Sequence, residues 1–210
     1  MATTRWTCRH APLALPAALE GELRARYGEP HRAYHDAAHV GELLRWFDVV
    51  ADAPGAGWCA PREVFAAIVF HDAIYAVGGP AGDNEARSAA WARACAGELA
   101  IDGARVAQLI ELTARHGKLA ATDVAGDADA MHFLDCDLAI VGAEPEAFDR
   151  YDAAIRREYA SVPDDAYRAG RRAFLASVLA KPRIFFSELF HARLDAAARA
   201  NLARALARLA

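Results

Sequence analysis

The feature that most constrains this chain is the run from Val64 to Tyr75, where an adjacent histidine and aspartate, His71 and Asp72, interrupt residues otherwise suited to a protein core. Val64, Phe65, Ile68, Val69 and Phe70 precede the pair. Val64, Ile68, His71 and Tyr75 recur at helical spacing, so a helix is predicted from Pro61 to the Gly-rich break at Gly78–Gly82. Polar groups placed in such surroundings cost stability unless something bonds or binds them. His71 is expected to face the core, with Asp72 about 100° further round the helix.

The flanking segments also read as helices. Ala17 to Tyr27 has helix-forming composition, with Gly28 and Pro30 as a stop. Val40, Leu43, Leu44, Phe47 and Val50 then define an amphipathic helix with His39 near its start and His35 before it or in its first turn. After the Gly-rich break, Asp83 or Asn84 is expected to cap a helix with Glu85 in its first turn and Ala89, Ala90, Trp91 and Cys95 as packing residues, ended or interrupted at Gly97. Asp102 is expected to cap another, on which Val106, Leu109, Ile110, Thr113 and His116 share a face and Gly117 closes the helix.

Carboxylates enter apolar sequence a second time between Met131 and Val141, where Phe133, Asp137 and Ile140 share a face. That spacing makes Asp137 the more buried of Asp135 and Asp137. Pro145 and Pro163 open two further helices, and a last one is expected from about Asp195 to Leu209. No segment alternates as a strand would. The expected fold is all-α, one domain over residues 1–210 with about eight to nine helices.

With 210 residues and 55% hydrophobic content, the chain can bury one sizeable core. A formal net charge of -4 argues against a protein devoted to nucleic-acid phosphates, and the even spacing of arginines in the last helix reads as a solvated face. Lys118 and Lys181 are the only lysines, so an anion site would be built mainly from arginine. Cys8, Cys59, Cys95 and Cys136 form no CxxC pair, which fits reduced thiols in a cytoplasm. The stretch from Arg5 to Leu19 is short for a signal peptide and is broken by Pro12 and Pro16. No apolar run approaches the roughly 20 residues of a membrane-spanning helix.

Three helices thus bring polar residues to apolar faces: His39 from one, His71 and Asp72 from another, Asp137 from a third. Two imidazoles and two carboxylates suit one divalent ion that accepts nitrogen and oxygen ligands, such as Mn, Fe, Co, Ni or Mg. Because the ligands come from separate helices, ion and core would stabilise each other.

The order His39, His71-Asp72, Asp137 resembles the HD-domain superfamily of metal-dependent phosphohydrolases. Tyr34-His35-xxx-His39, Phe70-His71-Asp72-xx-Tyr75, Asp83-Asn84-Glu85 and Phe133-Leu134-Asp135-x-Asp137-Leu138 are similar to small stand-alone bacterial members of that superfamily. The resemblance runs from about Arg32 to Leu179, placing an HD core at about 32–180 with helical extensions at both ends.

It implies a mononuclear metal site at His39, His71, Asp72 and Asp137, and hydrolysis of a phosphoester or phosphoanhydride of a small metabolite, nucleotides included. Asp72 would be both ligand and orienter of the water. His116 would receive phosphate or protonate the leaving oxygen, and Glu85 would handle a proton. His35, Arg115, Lys118 and Arg156 would meet the substrate. Each also has a plain structural use, as a helix-end residue or a solvated charge. Asp135 is the alternative to Asp137, otherwise a partner to a ligand histidine. Alarmone hydrolases of the superfamily resemble HDxxED at the dipeptide, whereas Tyr75 and Ala76 hold those last two positions here, leaving Glu85 as the replacement acid. The rival expectation is a non-catalytic module that binds a nucleotide or metal for signalling or scaffolding. No membrane or nucleic-acid partner is expected, and the oligomeric state is left open.

Overall fold

Pro61 can start a helix because the first turn does not need its missing N–H, and the apolar run behind it must turn inward. In the computed structural model, which describes residues 6–55 and 57–209, that helix spans Pro61–Phe70, and every residue from Val64 to Phe70 is fully buried. The described residues form helices and turns with no strand, so the fold is all-α. Arg5, in the stretch read against a signal peptide, lies outside the described residues, as does Ala56. Among the described residues, no helix is long and apolar enough to cross a membrane.

The chain divides into two compact units, Met1–Ala114 and Arg115–Ala210. The first contains α1 (Ala17–Tyr27), α2 (Ala37–Asp52), α3 (Pro61–Phe70), α4 (Asp83–Leu99) and α5 (Gly103–Thr113). Helix α3 packs against α2, α4 and α5. Phe65 of α3 stands edge-on to Phe47 of α2 with ring centres 6.1 Å apart, and Leu43 and Phe47 of α2 and Leu109 and Ile110 of α5 are fully buried.

The second unit contains α6 (Ala128–Leu138), α7 (Pro145–Glu158), α8 (Asp164–Leu179) and α9 (Glu188–Arg208), with short 3-10 turns at Ala121–Val124 and Ala139–Gly142. Helix α9 packs on α8 and on the turn after α6, burying Phe190, Ala198 and Leu202.

Several element ends differ from the sequence expectation. Helix α3 stops at Phe70, so His71 caps it and Asp72 to Tyr75 are not helical. Helix α4 has neither Asp83 nor Asn84 as its cap; Gly82 takes that position with φ +85°, and both residues lie inside the helix. Gly97 does not break it, Ala90 is exposed, and the helix ends at Leu99 with Ala100 in the left-handed region. Helix α5 ends at Thr113, which leaves His116 in the turns that follow rather than on its face. Helix α9 begins at Glu188, well before Asp195, because the Ser187 side chain accepts the Phe190 N–H as an N-cap.

Candidate metal centre

His39 owes its position to Asp36, whose carboxylate accepts the N–H groups of Ala38 and His39 at 2.8 and 3.2 Å and so fixes the start of α2. His39 then falls in the first turn, on the buried face, with 4% exposure. His71 closes α3, its N–H donating to the Ala67 carbonyl at 2.9 Å. Its ring Nδ1 lies 2.8 Å from the Ile68 carbonyl. A carbonyl can only accept, so Nδ1 carries the hydrogen and the neutral ring turns a lone pair outward at Nε2.

Three donor atoms converge there. His71 Nε2 lies 3.0 Å from Asp72 Oδ2, His39 Nε2 lies 3.6 Å from the same oxygen, and the two Nε2 atoms are 3.2 Å apart. Ligand atoms about 2.1 Å from one ion stand roughly 3.0 Å apart at a right angle and about 3.4 Å at the tetrahedral angle. The triangle therefore has the edge lengths of three ligands sharing one cation, and these residues form a His/His/Asp group able to hold one. Burial pushes the Asp72 carboxyl up, but the positive charge that His71, His35 and His39 carry when protonated outweighs burial and holds it well below the usual carboxylate range.

The turn carrying Asp72 is held by Tyr27, Arg32 and Ser88, for which sequence spacing gave no role, and by Asn84, which was expected to cap a helix. Tyr27 Oη accepts the Asp72 N–H at 3.3 Å and donates to the Val69 carbonyl at 3.2 Å. Arg32 donates to the carbonyls of Asp72 and Ala73 at 2.6 and 3.1 Å. Ser88 Oγ accepts the Ile74 N–H at 3.0 Å, and Asn84 exchanges two bonds of 3.0 Å with the backbone of Ala76. These bonds replace the helical ladder that ends at Phe70, and they give Asn84 its use in place of capping. The signal for Asn84 was its place in the first turn of a helix that follows a Gly-rich loop.

His35 is half-buried, stacks on Tyr75 with ring centres 4.5 Å apart, and stands edge-on to His39 at 5.9 Å. Glu85 is half-buried in the first turn of α4. Both belong to the first unit.

In the second unit, Asp137 Oδ2 lies 2.7 Å from His116 Nε2, with the two side chains 13% and 12% exposed. Lys181 Nζ donates to the His116 carbonyl and lies 5.2 Å from the Phe186 ring centre. Burial pulls the Lys181 ammonium down, against the upward pull of Asp135. The sequence singled Lys181 out only as one of two lysines.

The expected order of burial on α6 is reversed. Asp135 is 1% exposed and accepts the N–H groups of Phe186 and Ser187, both at 2.8 Å. Burial pushes its carboxyl up to about 6 while the bonds from Ser187 and Phe186 pull it down. Asp135 thus anchors the chain entering α9. Face counting failed because α6 is buried on most sides, His132, Phe133 and Leu134 included.

Arg115 and Lys118 are exposed, and Arg115 lies 3.8 Å from Asp123. Arg156 donates to the Tyr159 carbonyl at 2.7 Å, lies 3.4 Å from Asp164 and covers the Tyr167 ring at 4.6 Å. Its guanidinium closes the end of its own helix.

No family model, curated protein or solved structure matches this chain.

Proposed function

We propose that this chain is a metal-dependent phosphohydrolase of the HD-domain kind, acting on a phosphoester or phosphoanhydride of a small metabolite, nucleotides included. The observation that carries the reading is the convergence of His39 Nε2, His71 Nε2 and Asp72 Oδ2 with mutual distances of 3.0 to 3.6 Å. These atoms would hold one divalent ion, Mn, Fe, Co, Ni or Mg, and the sequence pattern adds Asp137 as a fourth ligand. Such an ion, when bound, polarises a phosphoryl oxygen and makes water a nucleophile near neutral pH.

The chain's own groups have complementary work. The Ile68 carbonyl holds His71 in the tautomer that presents Nε2, and Asp72 keeps a second carboxylate oxygen to orient the attacking water. His116 Nε2, bonded to Asp137, is a site from which a proton can pass to a leaving oxygen. Glu85 is assigned proton handling; His35, Arg115, Lys118 and Arg156 are assigned to the substrate. Cys8, Cys59, Cys95 and Cys136 all remain thiols, which fits a reducing cytoplasm.

The test is metal analysis of the purified protein beside His71→Ala and Asp137→Ala, followed by a nucleotide and phosphoester panel with added Mn2+. Bound metal lost in both variants, with phosphate or pyrophosphate released by the parent, is the expected result. Metal retained in both would overturn the site. Metal binding with silence across the panel would favour a non-catalytic module that binds a nucleotide or metal.

A further inference from the structure

We infer that Arg32 is the positioning residue of this centre, setting the Asp72 carboxylate against the two imidazoles without touching an ion itself. The inference rests on the metal-centre reading above. Adjacent residues on a straight helix diverge by about 100° and do not face each other. His71 Nε2 and Asp72 Oδ2 nevertheless stand 3.0 Å apart, and the helix has stopped one residue before the pair. Whatever holds the backbone after Phe70 out of the helix also aims Asp72.

Tyr27 takes the Asp72 N–H and the Val69 carbonyl, and Arg32 holds the carbonyls of the turn itself. The Arg32 side chain is fully buried, and Nη1 donates to the Asp72 carbonyl at 2.6 Å while Nη2 donates to the Ala73 carbonyl at 3.1 Å. Nη1 also reaches the His35 carbonyl at 3.0 Å, immediately before the Asp36 cap that sets His39. One guanidinium therefore fastens the segment leading to His39 to the turn carrying Asp72. Glu29 Oε2 lies 3.1 Å from Nε and balances the charge, and the rings of Tyr27 and Tyr75 flank the guanidinium carbon at 5.1 and 5.4 Å. A lysine can keep the charge but not a planar fork reaching three carbonyls, so the two residues are not interchangeable here.

The experiment uses Co2+ as the probe, with its visible absorption reporting ligand geometry. Arg32→Lys and Arg32→Ala are compared with the parent and with Arg62→Lys. Arg62 is a matched guanidinium in the same unit, donating to the Pro12 and Leu99 carbonyls at 3.1 and 2.6 Å. Arg32→Lys should fold, bind Co2+ about 10- to 100-fold more weakly and shift the absorption bands. Arg62→Lys should lower the melting temperature and leave the bands alone. Millimolar free guanidinium should restore Co2+ binding to Arg32→Ala. Parent-like bands and affinity in Arg32→Lys would overturn the inference, as would losses matched by Arg62→Lys. A parent that binds no Co2+ would overturn it together with the metal centre, which separates the two failures.

Discussion

The Nε2 atoms of His39 and His71 face each other at 3.2 Å across 32 residues of chain. His71 commits its N–H to the Ile68 carbonyl, so its Nε2 offers only a lone pair while the ring is neutral. Two imidazole nitrogens that close are satisfied by a shared proton or a shared cation, and Asp72 supplies the negative charge for either.

Metal should therefore stabilise the fold. At a Mn2+ concentration about 100 times the dissociation constant, linkage gives about 2.7 kcal/mol. For a chain of this size that raises the melting temperature by on the order of 5–10 °C. Calorimetry with and without Mn2+ should show the rise in the parent and none in His71→Ala; equal rises would remove His71 from the centre.

The two aspartates of α6 should separate by phenotype. Asp135→Ala strands the buried N–H groups of Phe186 and Ser187, at a cost of about 3 kcal/mol. Asp137→Ala removes a partly exposed partner of His116 and should cost under about 1 kcal/mol without metal. Urea denaturation of both variants in chelator reads the difference, and equal midpoints would contradict it.

Gly142 is enclosed by α9. A Cβ added there would lie 2.6 Å from Leu194 Cβ and 2.9 Å from the Leu194 carbonyl oxygen, and the backbone cannot retreat as a side chain can. Gly142→Ala should cost about 1–3 kcal/mol by overpacking. A chemical denaturation curve unchanged from the parent would show that α9 shifts freely.

Ala100 ends α4 at φ +50°, a conformation that favours glycine. Its N–H donates to the Gly97 carbonyl at 3.3 Å, a bond that needs no Cβ. Ala100→Gly should stabilise the protein by about 1 kcal/mol, read as a higher melting temperature.

Asp149 is paired with Arg204 and Arg208 of α9 at 2.8 and 2.9 Å, and their hydrogen bonds lower its carboxyl to about 2 from the ordinary 3.8. The folded state therefore releases this proton more readily than the unfolded chain. The pair's stabilisation is complete above the unfolded value and fades as pH falls through about 2. Carboxyl NMR titration should place Asp149 low, and Asp149→Asn should flatten the acid limb of the stability curve between about pH 4 and 2.

Much of the centre could be read without coordinates. The spacing of Val40, Leu43 and Phe47 turned His39 inward, and the apolar run before His71 did the same for that residue. These inferences held because an amphipathic helix has one face to bury, and local spacing names it. The same logic failed on α6, where apolar residues surround the helix and no face is distinguished.

The sequence by itself determined that the chain would be helical and that His39 and His71 would enter its interior, since both follow from spacing over one or two turns. Only the tertiary structure decided where those helices stop and which carboxylate is taken into the core. Tyr27 takes the Asp72 N–H and the Val69 carbonyl out of the α3 ladder from 45 and 42 residues upstream, and the Phe186 and Ser187 N–H groups claim Asp135 from 51 and 52 residues downstream. Backbone hydrogen bonds must be completed wherever the chain is buried, and the groups that complete them can come from any distance along it.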